Sequence, residues 1–239
     1  MISKNQIKLI QSLQRKKNRD ELGLFVAEGE KLVRELLPYF EKEYLFTTDR
    51  RVQGAEEVSE IEMGKITHLS TASNTLAVFK KKEPTYNLDE INSQLSLLLD
   101  DIQDPGNVGT IIRIADWFGI KNVFCSAACA DIYNSKTVKA TMGALSRVSV
   151  IYVDVEEFLR TITCPIYGTF MDGKNIYQEA LPASALIVMG NEGNGISDKV
   201  EKRIKHRLSI PSFGENGSES LNVAIATGIV CSEFRRSNK

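Results

Sequence analysis

Histidine is nearly missing from this chain. Only His68 and His206 occur among 239 residues, which argues against a histidine-rich centre and predicts no metal requirement. Cysteine is sparse as well. Cys125, Cys129, Cys164 and Cys231 follow no zinc spacing, and a chain of this length needs no disulfide frame. No run of ~18 apolar residues is present, which excludes a hydrophobic helix crossing a bilayer. The segment Met1-Ile2-Ser3-Lys4-Asn5-Gln6 is polar and lacks the apolar stretch of a secretion signal. A reduced, cytoplasmic protein without membrane contact is expected. Excess charge of one sign is also lacking: the net charge is −1, so the whole chain is no polycation.

What is present is ordinary in bulk, with 42% hydrophobic and 26% charged residues, as in a globular protein of one or two domains. Charge is nevertheless unevenly spread. Residues 1–19 hold Lys4, Lys8, Arg15, Lys16, Lys17 and Arg19 and no acid. Lys80, Lys81 and Lys82 form a second cluster. Lys199, Lys202, Arg203, Lys205 and Arg207 form a third, diluted by Asp198 and Glu201. Phosphate recognition needs such local clusters because the field decays over a Debye length, although a solvated helix face has the same composition.

The first eighty residues read as a small α/β unit. Ile7, Ile10 and Leu13 recur at helical spacing, Leu24-Phe25-Val26 suggests a strand, and Leu32, Val33, Leu36 and Leu37 suggest a second helix before Pro38. Residues 80–94, with Pro84 and three lysines, read as a linker. Beyond it, a nearly continuous apolar run at 95–99 and further runs at 122–125, 148–153, 165–170 and 186–189 alternate with helical patterns at 108–118, 136–145 and 156–161. Continuous runs suit strands buried on both faces, and the alternation predicts a parallel, doubly wound α/β domain.

Three segments lie at expected strand ends, where an open α/β sheet places its ligand. The first is Asp104-Pro105-Gly106-Asn107-Val108-Gly109-Thr110-Ile111-Ile112-Arg113, read as a turn, an N-cap at Asn107 and a helix carrying Arg113. An ordinary capped helix with a surface arginine gives the same pattern. The second, Gly190-Asn191-Glu192-Gly193-Asn194-Gly195, allows close backbone approach, and its Glu192 is hard to explain as packing. The third runs from Leu208 through Ile210 and Pro211 to Ser220-Leu221-Asn222-Val223, with a helix expected from about Glu219 to Phe234. There Ser220 and Asn222 are either caps or groups aimed at a ligand. A fourth stretch, Gly168-Thr169-Phe170-Met171-Asp172-Gly173-Lys174-Asn175, imitates a phosphate loop. Asn175 replaces the hydroxyl residue that would hold magnesium, and the following residues are too few for the required helix.

Together the three segments resemble the motifs of the SpoU family, the TrmH-like branch of the SPOUT superfamily of tRNA/rRNA 2′-O-ribose methyltransferases. The resemblance spans about residues 95–236. Its cores are Asn107-Val108-Gly109-Thr110-Ile111-Ile112-Arg113, Gly190-Asn191-Glu192-Gly193 and Ser220-Leu221-Asn222-Val223. Lys16-Lys17-Asn18-Arg19 and Gly23-Leu24-Phe25-Val26-Ala27-Glu28-Gly29 look like the family's substrate-binding domain, as in its rRNA-directed members. The resemblance implies an RNA substrate-binding domain at 1–83, a linker at 84–94 and a methyltransferase domain at 95–239. That last domain would be a trefoil-knotted α/β domain with a parallel sheet, assembled as a homodimer whose site draws on both subunits.

The resemblance further implies transfer of a methyl group from S-adenosylmethionine to a ribose 2′-hydroxyl, with rRNA favoured over tRNA. Gly190, Ile210, Leu221 and Thr169 would hold the cofactor, and Asn107, Arg113, Glu192, Ser220 and Asn222 match catalytic and substrate-facing positions. Between Pro211 and Ser220 the chain is two residues longer than the family pattern. Arginine keeps its proton at ordinary pH, so Arg113 is read as a phosphate clamp and oxyanion stabiliser, with a role as base left open. The alternative is a catalytically inactive RNA-binding protein on the same fold.

Overall fold

The computed structural model describes residues 1–214 and 220–238. In chain order the elements are α1 (Lys4–Ser12), α2 (Lys16–Leu22), β1 (Leu24–Glu28), α3 (Glu30–Leu36), β2 (Lys42–Thr47), β3 (Glu56–Glu57), α4 (Glu60–Ile66) and β4 (Thr75–Lys80). There follow α5 (Leu88–Ser93), β5 (Leu95–Leu99), α6 (Pro105–Trp117), β6 (Asn122–Cys125), α7 (Ser135–Thr141), β7 (Ser149–Tyr152) and α8 (Val155–Thr161). The chain ends with β8 (Ile166–Asn175), β9 (Ala185–Met189), α9 (Asp198–Glu201), β10 (His206–Ser209) and α10 (Val223–Arg236). They form two compact units: Met1–Glu83 with Asp131–Ser146, and Pro84–Ala130 with Arg147–Lys239.

The first unit holds a four-stranded sheet in the order β1-β4-β2-β3. Ser3 and Ser59 begin α1 and α4 with capping boxes, each hydroxyl accepting from the amide three residues on. The returning segment that carries α7 completes this unit. Tyr133 packs its ring 4.7 Å from that of Phe25, and its hydroxyl donates to the Lys82 carbonyl. Asp131 Oδ2 accepts from Nε and Nη2 of Arg19, whose Nη1 donates to the Leu13 and Gln14 carbonyls.

Arg19 is therefore only 3% exposed and leaves the basic surface to which its sequence neighbours assign it. The trio at 80–82 is also largely engaged. Lys80 pairs with Glu41, Lys81 with Asp20, and the Lys82 ammonium lies 4.8 Å over the Phe40 ring. Lys4, Lys8, Arg15, Lys16 and Lys17 stay exposed.

The second unit is built on a six-stranded sheet in the order β10-β8-β9-β5-β6-β7, parallel at every pairing. β5 and β9 are buried along their whole length, as their almost wholly apolar sequences require; Ser96 is the one polar residue in them. All strands point the same way, so the loops after β5, β9 and β10 leave from one edge. The expected linker carries α5, capped by Asn87 and anchored by the fully buried Ile91. It belongs to this unit because that one apolar side chain has a core to enter. The phosphate-loop imitation at 168–175 lies inside β8, without the strand-to-helix turn such a loop needs.

Two helices position the site. α6 starts one turn earlier than the sequence suggests: Asp104, not Asn107, is its N-cap, accepting from the Asn107 amide at 2.7 Å, with Pro105 in the first turn. α10 starts at Val223, with Asn222 as cap. Glu219, where this helix was expected to begin, and the rest of 215–219, including most of the longer loop, lie outside the described residues. α6 and α10 run side by side in the same direction. Asn222 meets Asn107 at one end, and at the other Arg235 donates to the carbonyls of Phe118 and Gly119. A cation there also suits the negative end of α6.

Candidate active site

The turn after β9 is fixed by its own side chains. Asn191 Oδ1 accepts from the amides of Gly193 and Asn194, and its Nδ2 donates to the Asp101 carbonyl at 2.7 Å. The backbones of Asn191 and Gly195 exchange two hydrogen bonds of 2.9 Å. Gly190 is required here: a Cβ would lie 2.4 Å from the Gly195 carbonyl carbon and the Ile196 nitrogen. Gly195 takes φ +69°, which a side chain would strain. Asp100, fully buried at the end of β5, accepts from the Ser197 amide and ties the end of this turn to the sheet.

Against this turn the three motifs meet. Asn222 uses Oδ1 to cap α10, accepting from Ala224 and Ile225, and donates from Nδ2 to Asn107 Oδ1 at 3.0 Å. Asn107 in turn donates from Nδ2 to Glu192 Oε1 at 2.6 Å. One short relay of side chains thus joins residues that lie 115 and 85 positions apart in sequence.

Beside the relay lies a cavity of about 450 Å³. Thr169, Gly190, Ile210 and Leu221 line it, as do Glu192 and Ser220. Asn107 and Asn222 do not line it; Asn107 donates to Glu192 and in turn accepts from Asn222. Arg113 is exposed, does not line the cavity and has no hydrogen-bond partner among the described residues. Glu192 accepts from Asn107, and Arg113 lies six residues further along α6.

Phe170, Met171 and Glu201 also line the cavity, though sequence reasoning did not single them out for the site. No local pattern marks Phe170 or Glu201. The role of Asn191 had a signal: an asparagine two residues before glycine favours a side-chain-closed turn. Near Glu201, the Arg207 guanidinium holds the Asp172 carboxyl below the ordinary carboxylate range, mainly through their hydrogen bond.

The volume falls within the ~300–1,000 Å³ usual for small-molecule sites. Apolar side chains line one part, and two carboxylates, a threonine and a serine supply polar groups. This mixed lining suits a nucleoside-sized ligand with an apolar heterocycle, hydroxyls and positive charge. Among the described residues no cluster of three or more His, Cys, Asp or Glu side chains could hold a metal ion, and no helix is long and apolar enough to cross a membrane.

Comparison with known proteins identifies the family of both units. Residues 94–232 match the SpoU rRNA Methylase family, and residues 4–82 match the MRM3-like substrate binding domain. The 23S rRNA (guanosine(2553)-2′-O)-methyltransferase RlmP of Bacillus subtilis is 31% identical over 98% of this chain and 97% of its own length. Among solved structures, a TrmH-family protein from Porphyromonas gingivalis is 42% identical, with a TM-score of 0.88 and 99% of each chain covered. An AdoMet-bound rRNA methyltransferase from Sinorhizobium meliloti is 28% identical, with a TM-score of 0.85 over 99% of this chain and 97% of its own. With its three motifs gathered at one edge of a parallel sheet and a family match across more than half its length, the chain belongs to the SpoU, TrmH-like family of RNA 2′-O-ribose methyltransferases.

Proposed function

We propose that this chain transfers a methyl group from S-adenosylmethionine to a ribose 2′-hydroxyl of ribosomal RNA. The observation that carries the reading is the cavity, where the four expected cofactor-binding positions, Thr169, Gly190, Ile210 and Leu221, converge with Glu192 and Ser220. When bound, the cofactor supplies an electrophilic methyl group. The protein's part is to hold the ribose in line and to stabilise the charge that develops on its oxygen. Ser220 and Glu192 offer polar contacts within the cavity, and the relay through Asn107 and Asn222 keeps the Glu192 carboxylate in place.

Arg113 acts as a clamp on the phosphate beside the target ribose. Its exposure and lack of a partner among the described residues leave its five donors for RNA. Since Arg113 does not line this chain's cavity, it serves the site of a second copy in a homodimer. Exposed Trp117 on α6, Leu221, and Ile225 on α10 support an interface there. A trefoil knot belongs with this reading.

Residues 1–83 bind RNA, presenting Lys4, Lys8, Arg15, Lys16 and Lys17. The substrate-binding domain and the rRNA-directed Bacillus subtilis relative of similar length favour rRNA over tRNA. Cytoplasmic location follows from that substrate. Mapping of 2′-O-methyl sites in RNA from a deletion strain tests the proposal. Loss of one rRNA methylation supports it, and an unchanged methylation map overturns it.

A further inference from the structure

The outer wall of the cavity depends on an arginine outside all three motifs. Phe170 lines the cavity and packs against the core of the second unit. On one side its ring rests on Gly168, where a Cβ would lie 2.8 Å from Phe170 Cε2. Over it, the Arg207 guanidinium carbon sits 3.5 Å from the ring centroid. Arg207 also donates from Nη1 to Glu201 and from Nη2 to Asp172, the latter at 2.6 Å. One planar cation on β10 thereby grips three points: the aromatic ring, the end of α9 and the β8 segment just beyond the ring.

We propose that Arg207 is a positioning residue for the cofactor pocket, a latch that holds Phe170 and Glu201 in the wall that S-adenosylmethionine meets. The proposal rests on the methyltransferase reading above, since it assigns the cavity to that cofactor. The two ion pairs are partly exposed, and such pairs add little to global stability. The effect of Arg207 is therefore local order, not folding. Its geometry also cannot be supplied by a point charge: only a planar, forked group stacks on a ring and serves two carboxylates at once.

The test compares wild type with Arg207→Ala, Arg207→Lys and Phe170→Leu by calorimetric titration with S-adenosylmethionine. Hydrogen exchange of the amides at 169–175 is measured in the absence of cofactor. Arg207→Ala is expected to weaken cofactor binding about 10-fold and to speed exchange at 169–175. The KM for cofactor should rise while kcat at saturation changes by less than about threefold. Lysine should recover less than half of the lost affinity in logarithmic terms, and Phe170→Leu should reproduce the affinity loss with Arg207 intact.

Wild-type affinity and wild-type exchange in folded Arg207→Ala would overturn the latch, as would full rescue by lysine. Should Arg207→Ala fail to fold, Phe170→Leu and Arg207→Lys decide: unchanged affinity in both overturns the proposal. A wild-type protein that binds no S-adenosylmethionine would instead overturn the functional reading. In that event the exchange at 169–175 still judges the latch.

Discussion

Asn107 donates a 2.6 Å hydrogen bond to Glu192, joining the first turn of α6 to the glycine turn after β9. The same asparagine accepts from Asn222, so its amide must keep one orientation: nitrogen toward the carboxylate, oxygen toward Asn222. Asn107→Asp keeps the shape but faces Glu192 with a like charge. Hydrogen bonds to charged groups contribute ~1.5–3 kcal/mol, so a loss of roughly 10- to 100-fold in turnover is expected. Asn107→Asp combined with Glu192→Gln should recover part of it. Single-turnover methyl transfer is the measurement, and an Asn107→Asp protein as fast as wild type would remove the relay from catalysis.

Arg113 should separate binding from turnover. Arg113→Ala is expected to leave cofactor affinity in place, because Arg113 does not line the cavity. Turnover should fall by roughly 10²-fold or more if oxyanion stabilisation is lost. Arg113→Lys should fall between, since it keeps charge but not the fork. An alanine variant with undiminished methylation would take Arg113 out of the reaction.

The Arg19–Asp131 pair is buried, with side chains 4% and 11% exposed. Removing either partner strands a charge, and Asp131→Ala should lower stability by about 3–5 kcal/mol. Deleting residues 1–83 should be worse still, because Ile132, Tyr133 and Val138 would lose the unit in which they are buried. Denaturant unfolding of both proteins checks this. A stable, monodisperse deletion protein would show that the segment at 131–146 refolds elsewhere.

His68 gives the first unit a pH signature. Burial lowers its pKa below 6.5, against the upward pull of its hydrogen bond to the Ile10 carbonyl. The unfolded chain takes up the proton near 6.5 while the folded chain resists it. The contribution to stability is therefore present above that value and is lost as pH falls through the lower folded value. Between pH 7 and 5.5 wild type should lose more stability than His68→Gln. Equal slopes in urea unfolding would show that another group dominates.

Self-association should run through α10. Ile225 is 58% exposed and Leu221 50%. Ile225→Glu is expected to yield a 26.7 kDa monomer by sedimentation at micromolar concentration, where wild type gives twice that mass. A wild-type monomer would end the dimer proposal.

The parallel sheet was legible because β9 is apolar throughout and β5 nearly so, with Ser96 its one polar residue, and the meeting of the three motifs because each follows the carboxyl end of a strand. Less legible were choices between chemically equal neighbours. Asp104 and Asn107 both suit an N-cap; Pro105 directly after Asp104 was the deciding signal. The burial of Arg19 was invisible locally. It sits among exposed basic residues, and its partner Asp131 lies 112 residues away. The helix in the expected linker hides for a similar reason: one isoleucine, Ile91, supplies its only fully buried apolar anchor.

The excursion at 131–146 governs how relatives of this protein can be recombined. A chimera that exchanges only residues 1–83 would pair a foreign sheet with the native α7, and would set an unrelated side chain opposite Asp131 and Tyr133. Grafting a new RNA-binding unit therefore requires two pieces transplanted together, with junctions at 83/84, 130/131 and 146/147. The boundary that matters for engineering is discontinuous in sequence, and libraries cut at the single linear junction should return few folded members.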